Sequence, residues 1–241
     1  NRSPLQSIYV GGGTPSTLSA ASIGILMQTI RQRWECSPDL EVALECNPED
    51  ITTSYLKALQ DVGVTRLSLG GQSFQTEVLQ RLQRNHSVAQ LRDALMCLHD
   101  VRWQNYNLDL MFGIPQQTLT QFQSDVTEAL RWEPTHLSLY ALELPDTTPF
   151  GRDAEIVRWS NQTQTLCEEM YLWAVDTLTR EAWTHYEVSN FARPSFAGRM
   201  NLCVWSGQEY LGIGVGAHSH VAGQRWGNVR ALRRYQQSLA Q

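Results

Sequence analysis

Ile8-Tyr9-Val10, running into Gly11-Gly12-Gly13-Thr14-Pro15, is the stretch whose reading decides the fold. A short β-branched and aromatic run reads as a strand, and the glycines and proline after it stop the strand. Beyond the turn, Ile23, Leu26, Met27 and Ile30 recur at helical spacing, which predicts a helix over about 19–34 with those four on one face. Together these make one βα unit.

The unit repeats along the chain. Further strands are predicted over 41–45, 66–69, 106–111 and 136–142, with a sixth candidate at 186–188. Helices are predicted over about 52–62, 119–130 and 161–180, and helical pieces between Gln72 and Leu98. Alternation of this kind predicts an α/β fold with a parallel sheet. The strands end at about Gly11, Glu45, Gln72, Asp109 and Glu143, which are 27 to 37 residues apart, about one βα unit each. Polar residues at the carboxyl end of successive strands are where a (β/α) barrel keeps its chemistry. A doubly wound sheet would gather them at one switch point. Their spread over five strand ends favours a barrel or partial barrel.

Composition removes other classes. The 241 residues are 42% hydrophobic, enough for a sizeable core, and the net charge of −5 argues against a general nucleic-acid binder. No run of about 18 apolar residues occurs, so no membrane-spanning helix is expected. Asn1-Arg2-Ser3-Pro4 has no signal-peptide character, and without a starting Met the chain is expected to begin inside a longer protein. The cysteines, Cys36, Cys46, Cys97, Cys167 and Cys203, are scattered. Their spacing encodes no zinc knuckle or iron–sulfur triplet and fits a reducing, cytoplasmic setting. Gly212-Ile213-Gly214-Val215-Gly216-Ala217 has the form of a dinucleotide fingerprint, but no strand is predicted before it and no helix after it. His218 and His220, two apart and without a third partner, are weak metal candidates.

Within the strand-end set, the three glycines bring backbone N–H and C=O groups close to a ligand. Glu45 offers a carboxylate to an amine or hydroxyl. Arg84 offers a cation to an anionic group. Asp109, in the apolar run Asn107-Leu108-Asp109-Leu110-Met111, needs a partner or a ligand.

Taken together, Tyr9–Thr17 (YVGGGTPST), Leu44–Pro48 (LECNP), Arg66–Phe74 (RLSLGGQSF), Asn105–Thr118 (NYNLDLMFGIPQQT), His136–Tyr140 (HLSLY), Tyr186–Pro194 (YEVSNFARP) and Tyr210–Ser219 (YLGIGVGAHS) resemble the radical SAM (S-adenosylmethionine) proteins of the oxygen-independent coproporphyrinogen III oxidase family. The HemW-like branch, the haem chaperones, is the nearest match. The resemblance implies an incomplete (β/α)6 barrel with its first strand missing, over residues 1–185, and the start of a C-terminal extension over 186–241. It implies S-adenosylmethionine beside a 4Fe-4S cluster. Gly12, Gly13 and Thr14 would meet the methionine amino group and Glu45 would lie close to the cofactor. Gln72, Arg84 and Asp109 would line the same site, with Asp109 on a ribose hydroxyl.

Two departures qualify what is carried over. The family's CxxxCxxC cluster loop, upstream of the Gly-rich motif, has no counterpart among the five cysteines, so the chain as written is expected not to generate radicals. The branch's HNxxYW motif reads Met200-Asn201-Leu202-Cys203-Val204-Trp205 here, leaving Met200 and Cys203 as candidate haem contacts or as ordinary packed residues. The expected function is a piece of a HemW-like protein that handles haem, with a haem-acceptor protein as partner. A coproporphyrinogen III oxidase that decarboxylates two propionates, and a degenerate member without radical chemistry, are the alternatives.

Overall fold

In the computed structural model, residues 3–240 are described; Asn1 and Arg2, at the head of the segment read against a signal peptide, and Gln241 lie outside them. The chain divides into two compact units, residues 1–197 and 198–241.

The first unit is the repeating βα structure. In order it comprises β1 (Leu5–Val10), α1 (Ala20–Arg33), β2 (Cys36–Cys46), α2 (Thr53–Asp61), β3 (Arg66–Gln72), α3 (Thr76–Arg81), α4 (Val88–Asp100), β4 (Tyr106–Phe112), α5 (Leu119–Arg131), β5 (His136–Ala141), α6 (Pro149–Arg152), α7 (Ala154–Gln162), α8 (Gln164–Arg180), β6 (Thr184–His185) and β7 (Asn190–Ala192). The strands form one curled sheet, ordered β1-β2-β3-β4-β5-β7-β6, in which β1 to β5 are parallel. It is the half-barrel that the repeat predicted.

Helix starts follow local rules. Ser19, Thr52, Ser87 and Thr118 cap α1, α2, α4 and α5 by accepting a backbone N–H, and Ser87–Gln90 and Thr118–Gln121 are full capping boxes. On α1, Ile23, Met27 and Ile30 are buried, while Leu26 of the expected face stays exposed. These residues join Leu56, Leu59, Leu91, Leu95, Phe122 and Val126 in packing the helices against Leu44, Leu67, Leu69, Leu108, Leu110, Leu137 and Leu139 of the strands.

Two expectations are corrected. Residues 186–188 are not a sixth strand but part of the turn joining β6 to β7, and β7 runs antiparallel to β5. A link of a few residues can only reverse the chain, whereas a parallel return needs a full crossover. That crossover is made earlier, by α6 to α8, so β6 has the direction of β5 and β7 is inserted between them. The long helix expected over 161–180 is broken at Thr163. Its Oγ1 bonds back to Trp159 O at 2.9 Å, and its φ of −114° and ψ of 18° leave the helical region.

The second unit holds α9 (Arg199–Trp205), a hairpin of β8 (His218–Val221) and β9 (Gln224–Gly227), and α10 (Leu232–Leu239). Residues 212–217 are followed by strand β8 rather than by a helix, so the dinucleotide reading stays rejected. Among the described residues no helix is long and apolar enough to cross a membrane.

Candidate functional site

Parallel neighbours in register share a face of the sheet. One row runs Glu45, Ser68, Asn107, His136 across β2 to β5, and the next runs Asp109, Ser138, Asn190 across β4, β5 and β7. The leucines between them face the helices, so the opposite, concave face of the half-barrel is polar. Parallel strands covered on both sides normally read as continuous apolar runs. These alternate.

The Gly-rich turn leaves β1 at the rim of that face. Gly12 and Gly13 have φ of +85° and +67°, and nothing lies within 4 Å of where a side chain would begin at either position. Left-handed backbone of this kind favours glycine. At Gly11 the reason differs, because a Cβ there would stand 2.5 Å from the Tyr9 ring and 2.7 Å from Glu45 Oε1. Glu45, at the end of β2, is held under the turn: the Tyr9 hydroxyl donates to Oε1 at 2.7 Å and the Gly12 N–H to Oε2 at 2.9 Å. Burial, then the Glu45 charge, pushes the Tyr9 hydroxyl well above its usual range, so it stays a donor. Thr14 opens a 3₁₀ turn and its carbonyl accepts from Thr17 N and Oγ1.

A second group sits at the ends of β2 and β3. Arg84 Nη2 donates to Asn47 Oδ1 at 3.2 Å and Gly70 O at 3.4 Å, and Gln72 Nε2 lies against the same face of Gly70. Arg84 forms no ion pair with a carboxylate among the described residues. Gln72 takes a φ of 65° where the β3–β4 register shifts, which turns the chain out of the strand. The loop beyond it is tied to α5 by buried Asp125, which accepts from Ser73 Oγ at 2.5 Å, Phe74 N at 2.8 Å and Gln75 Nε2 at 3.2 Å. Burial pushes the Asp125 carboxyl up to about 6 even so.

Asp109 occupies the middle of the concave face. Asn107 Nδ2 donates to its Oδ1 at 2.6 Å, and Ser68 Oγ lies 3.4 Å from its Oδ2. Burial raises its carboxyl to about 6; the donors Asn107, Ser138 and Ser68 pull it down, and the Glu45 charge adds to the rise. Asn190, opposite Ser138, keeps a buried Oδ1 with no hydrogen-bond partner.

The structure therefore places Gly12, Gly13, Thr14, Glu45 and Gln72 at the carboxyl ends of β1 to β3, brings Arg84 from the loop after α3 to Asn47 and Gly70 beside them, and sets Asp109 midway along β4 rather than at its end. Two carboxylates, a guanidinium not matched to an acid, and an open glycine turn suit a zwitterionic ligand with hydroxyl groups. Met200 and Cys203 lie on α9 in the other unit, where Cys203 Sγ donates to Glu209 O at 3.6 Å. His220 Nδ1 is bonded to Gln208 O at 3.0 Å. The residues that sequence reasoning missed are Tyr9, Asn47, Asn107, Asp125, His136, Ser138 and Tyr186. For Asn107, His136 and Ser138 a signal existed in the period-two alternation of polar residues with leucine. For Asp125 there was none, because a lone acid on an amphipathic helix reads as solvated.

Residues 1–129 match the model of the radical SAM superfamily. The chain is 35% identical over 233 residues to the heme chaperone HemW of Lactococcus lactis, covering 96% of this chain and 61% of that protein. It is 34% identical over 238 residues to HemW of Bacillus subtilis, covering 98% and 63%. The chain thus spans about three-fifths of the length of these curated relatives. Among solved structures, coproporphyrinogen III oxidase (HemN) of Escherichia coli, a radical SAM enzyme, superposes with a TM-score of 0.79 over 98% of this chain and 57% of that one. At 24% identity this shows a shared fold. The half-barrel, its Gly-rich strand end and these matches agree, and the chain belongs to the radical SAM superfamily.

Proposed function

We propose that this chain carries the S-adenosylmethionine site of a protein that handles haem. Gly12, Gly13 and Thr14 receive the methionine ammonium group, with Glu45 holding the turn in place. Arg84, beside Gln72, faces the ligand carboxylate, and Asp109 accepts from the ribose hydroxyls. The observation that carries this reading is the Glu45 clamp: one carboxylate fixes Tyr9 and Gly12 while both left-handed glycines stay open in front of it. Bound S-adenosylmethionine would supply a sulfonium group, which becomes a radical source only on one-electron reduction, and the described residues supply no such electron. The protein's own residues bind and orient it, and the polar concave floor keeps its hydroxyls satisfied.

The second cofactor of the superfamily, a 4Fe-4S cluster, does not fit the residues present. The five cysteines are free and dispersed, and no group of three His, Cys, Asp or Glu side chains suited to a metal ion occurs among the described residues. The haem role is supported by the likeness to heme chaperones that are 34–35% identical. Within this chain Met200 and Cys203 are the candidate contacts, and a haem-acceptor protein is the partner that such a role requires.

Calorimetry with S-adenosylmethionine tests the site. Gly12→Val puts a branched side chain into the open space at a φ of +85°. The strain is about 1–2 kcal/mol, which the sheet tolerates, while binding should fall at least ~100-fold. Unchanged affinity removes the glycine turn from the site. For haem, Met200→Ala should alter the Soret band of a haem-loaded sample, and an identical spectrum removes Met200.

A further inference from the structure

Four polar side chains on the concave face form one hydrogen-bonded chain. Tyr186, in the turn between β6 and β7, places its Oη 2.7 Å from His136 Nε2 on β5. His136 Nδ1 lies 2.7 Å from Asn107 Oδ1 on β4, and Asn107 Nδ2 lies 2.6 Å from Asp109 Oδ1. Asn107 is also held by Ser138 Oγ, 3.0 Å from its Oδ1, and by Ser68 Oγ, 2.7 Å from its Nδ2. His136, Asn107 and Ser138 are buried.

The chain has only one consistent direction when Asp109 is ionised. A carboxylate accepts and cannot donate, so Asn107 must present its amide nitrogen to Asp109 and its oxygen to His136. That oxygen only accepts, so His136 must donate from Nδ1. Burial, together with the Arg66 charge, holds the imidazole neutral, which leaves a lone pair at Nε2. Tyr186 must then donate. One charge thus dictates three hydrogen bonds across β4, β5 and the hairpin. An amide cannot relay a proton, so the chain orients and does not conduct. Aromatic and aliphatic residues could fill the same space without polar groups to satisfy, so a core role alone does not account for it.

We propose that Tyr186 and His136 are positioning residues for Asp109, holding its carboxylate in one orientation and tying the β6–β7 turn to occupancy of the site. The effect on ligand affinity rests on the S-adenosylmethionine reading above, whereas the direction of the chain does not.

Two measurements on the 241-residue chain separate these. Nitrogen-15 NMR of the ligand-free protein should find the His136 proton on Nδ1. In Asp109→Asn, which removes the charge that sets the direction, the ring should populate both tautomers, while in Tyr186→Phe, which removes only a hydroxyl, the proton should stay on Nδ1. A proton on Nε2 in the unaltered protein, or a single unchanged tautomer in Asp109→Asn, overturns the proposal. Calorimetry with S-adenosylhomocysteine as probe should show affinity about 5-fold weaker in Tyr186→Phe, the equivalent of one ordinary hydrogen bond, at an unchanged melting temperature to within a few degrees. Equal affinity overturns the positioning role. If the unaltered chain binds no probe, the site reading falls, and the tautomer result still decides the chain's direction.

Discussion

The two faces of the half-barrel sheet are made from alternate residues of the same strands, yet they obey different rules. Leu108 and Asp109 are adjacent on β4. Leu108 is fully buried among helix side chains, while Asp109 faces the concave floor among Asn107, Ser68 and Ser138. The helix-facing side is held by area removed from water, which is non-directional and tolerates exchange of similar volumes. The concave side is held by donors and acceptors whose directions must agree, and it includes a carboxylate whose ionised form is disfavoured by its surroundings. One side supplies stability and the other holds groups that cost stability and keep them ready for a ligand.

Substitutions on neighbouring residues should therefore have opposite signs. The largest effect is expected at Leu108→Ala, which should cost about 3 kcal/mol in chemical denaturation through lost burial and a residual cavity. A loss under ~1 kcal/mol would mean that the helix layer closes over the gap and that the contrast between faces is overstated.

Asp109→Asn should stabilise. Its folded carboxyl is raised to about 6 from 3.8. The folded chain therefore holds a proton that the unfolded chain has released, and this stabilising contribution is complete below about pH 4 and lost as pH rises through 6. Asn never ionises and avoids that loss. At pH 7.5 the variant should gain about 1–2 kcal/mol, trimmed from the full shift because Asp109 keeps some access to water. The gain should vanish below about pH 4, while affinity for S-adenosylmethionine falls about 10-fold or more. A gain that is independent of pH would place its cause elsewhere.

The smallest effect sharpens the comparison. Ser138→Ala removes one donor from Asn107 Oδ1, which His136 still serves. About 1 kcal/mol or less should be lost. A loss as large as that of Leu108→Ala would mean that the concave network carries stability in its own right.

Much of this was legible in order along the chain. The strand, glycine turn and helix at residues 8–34 recur with regular spacing, and period-two alternation in Asn107–Leu110 and His136–Tyr140 separates the two faces. The 186–188 segment was misread because Tyr-Glu-Val has strand character, and only the link to β7 shows that it turns. Asp125 was invisible because its partners, Ser73, Phe74 and Gln75, lie about 50 residues away.

Local sequence alone determined the repeat, the caps and the left-handed glycine turn, because propensity and periodicity act within one or two turns of chain. Only the tertiary structure decided that Glu45 closes under Gly12, that Arg84 meets Asn47 and Gly70, and that Tyr186 reaches Asp109 through His136 and Asn107. Those contacts depend on strand register and sheet curvature, which are set by packing of the whole helix layer and are written in no single segment.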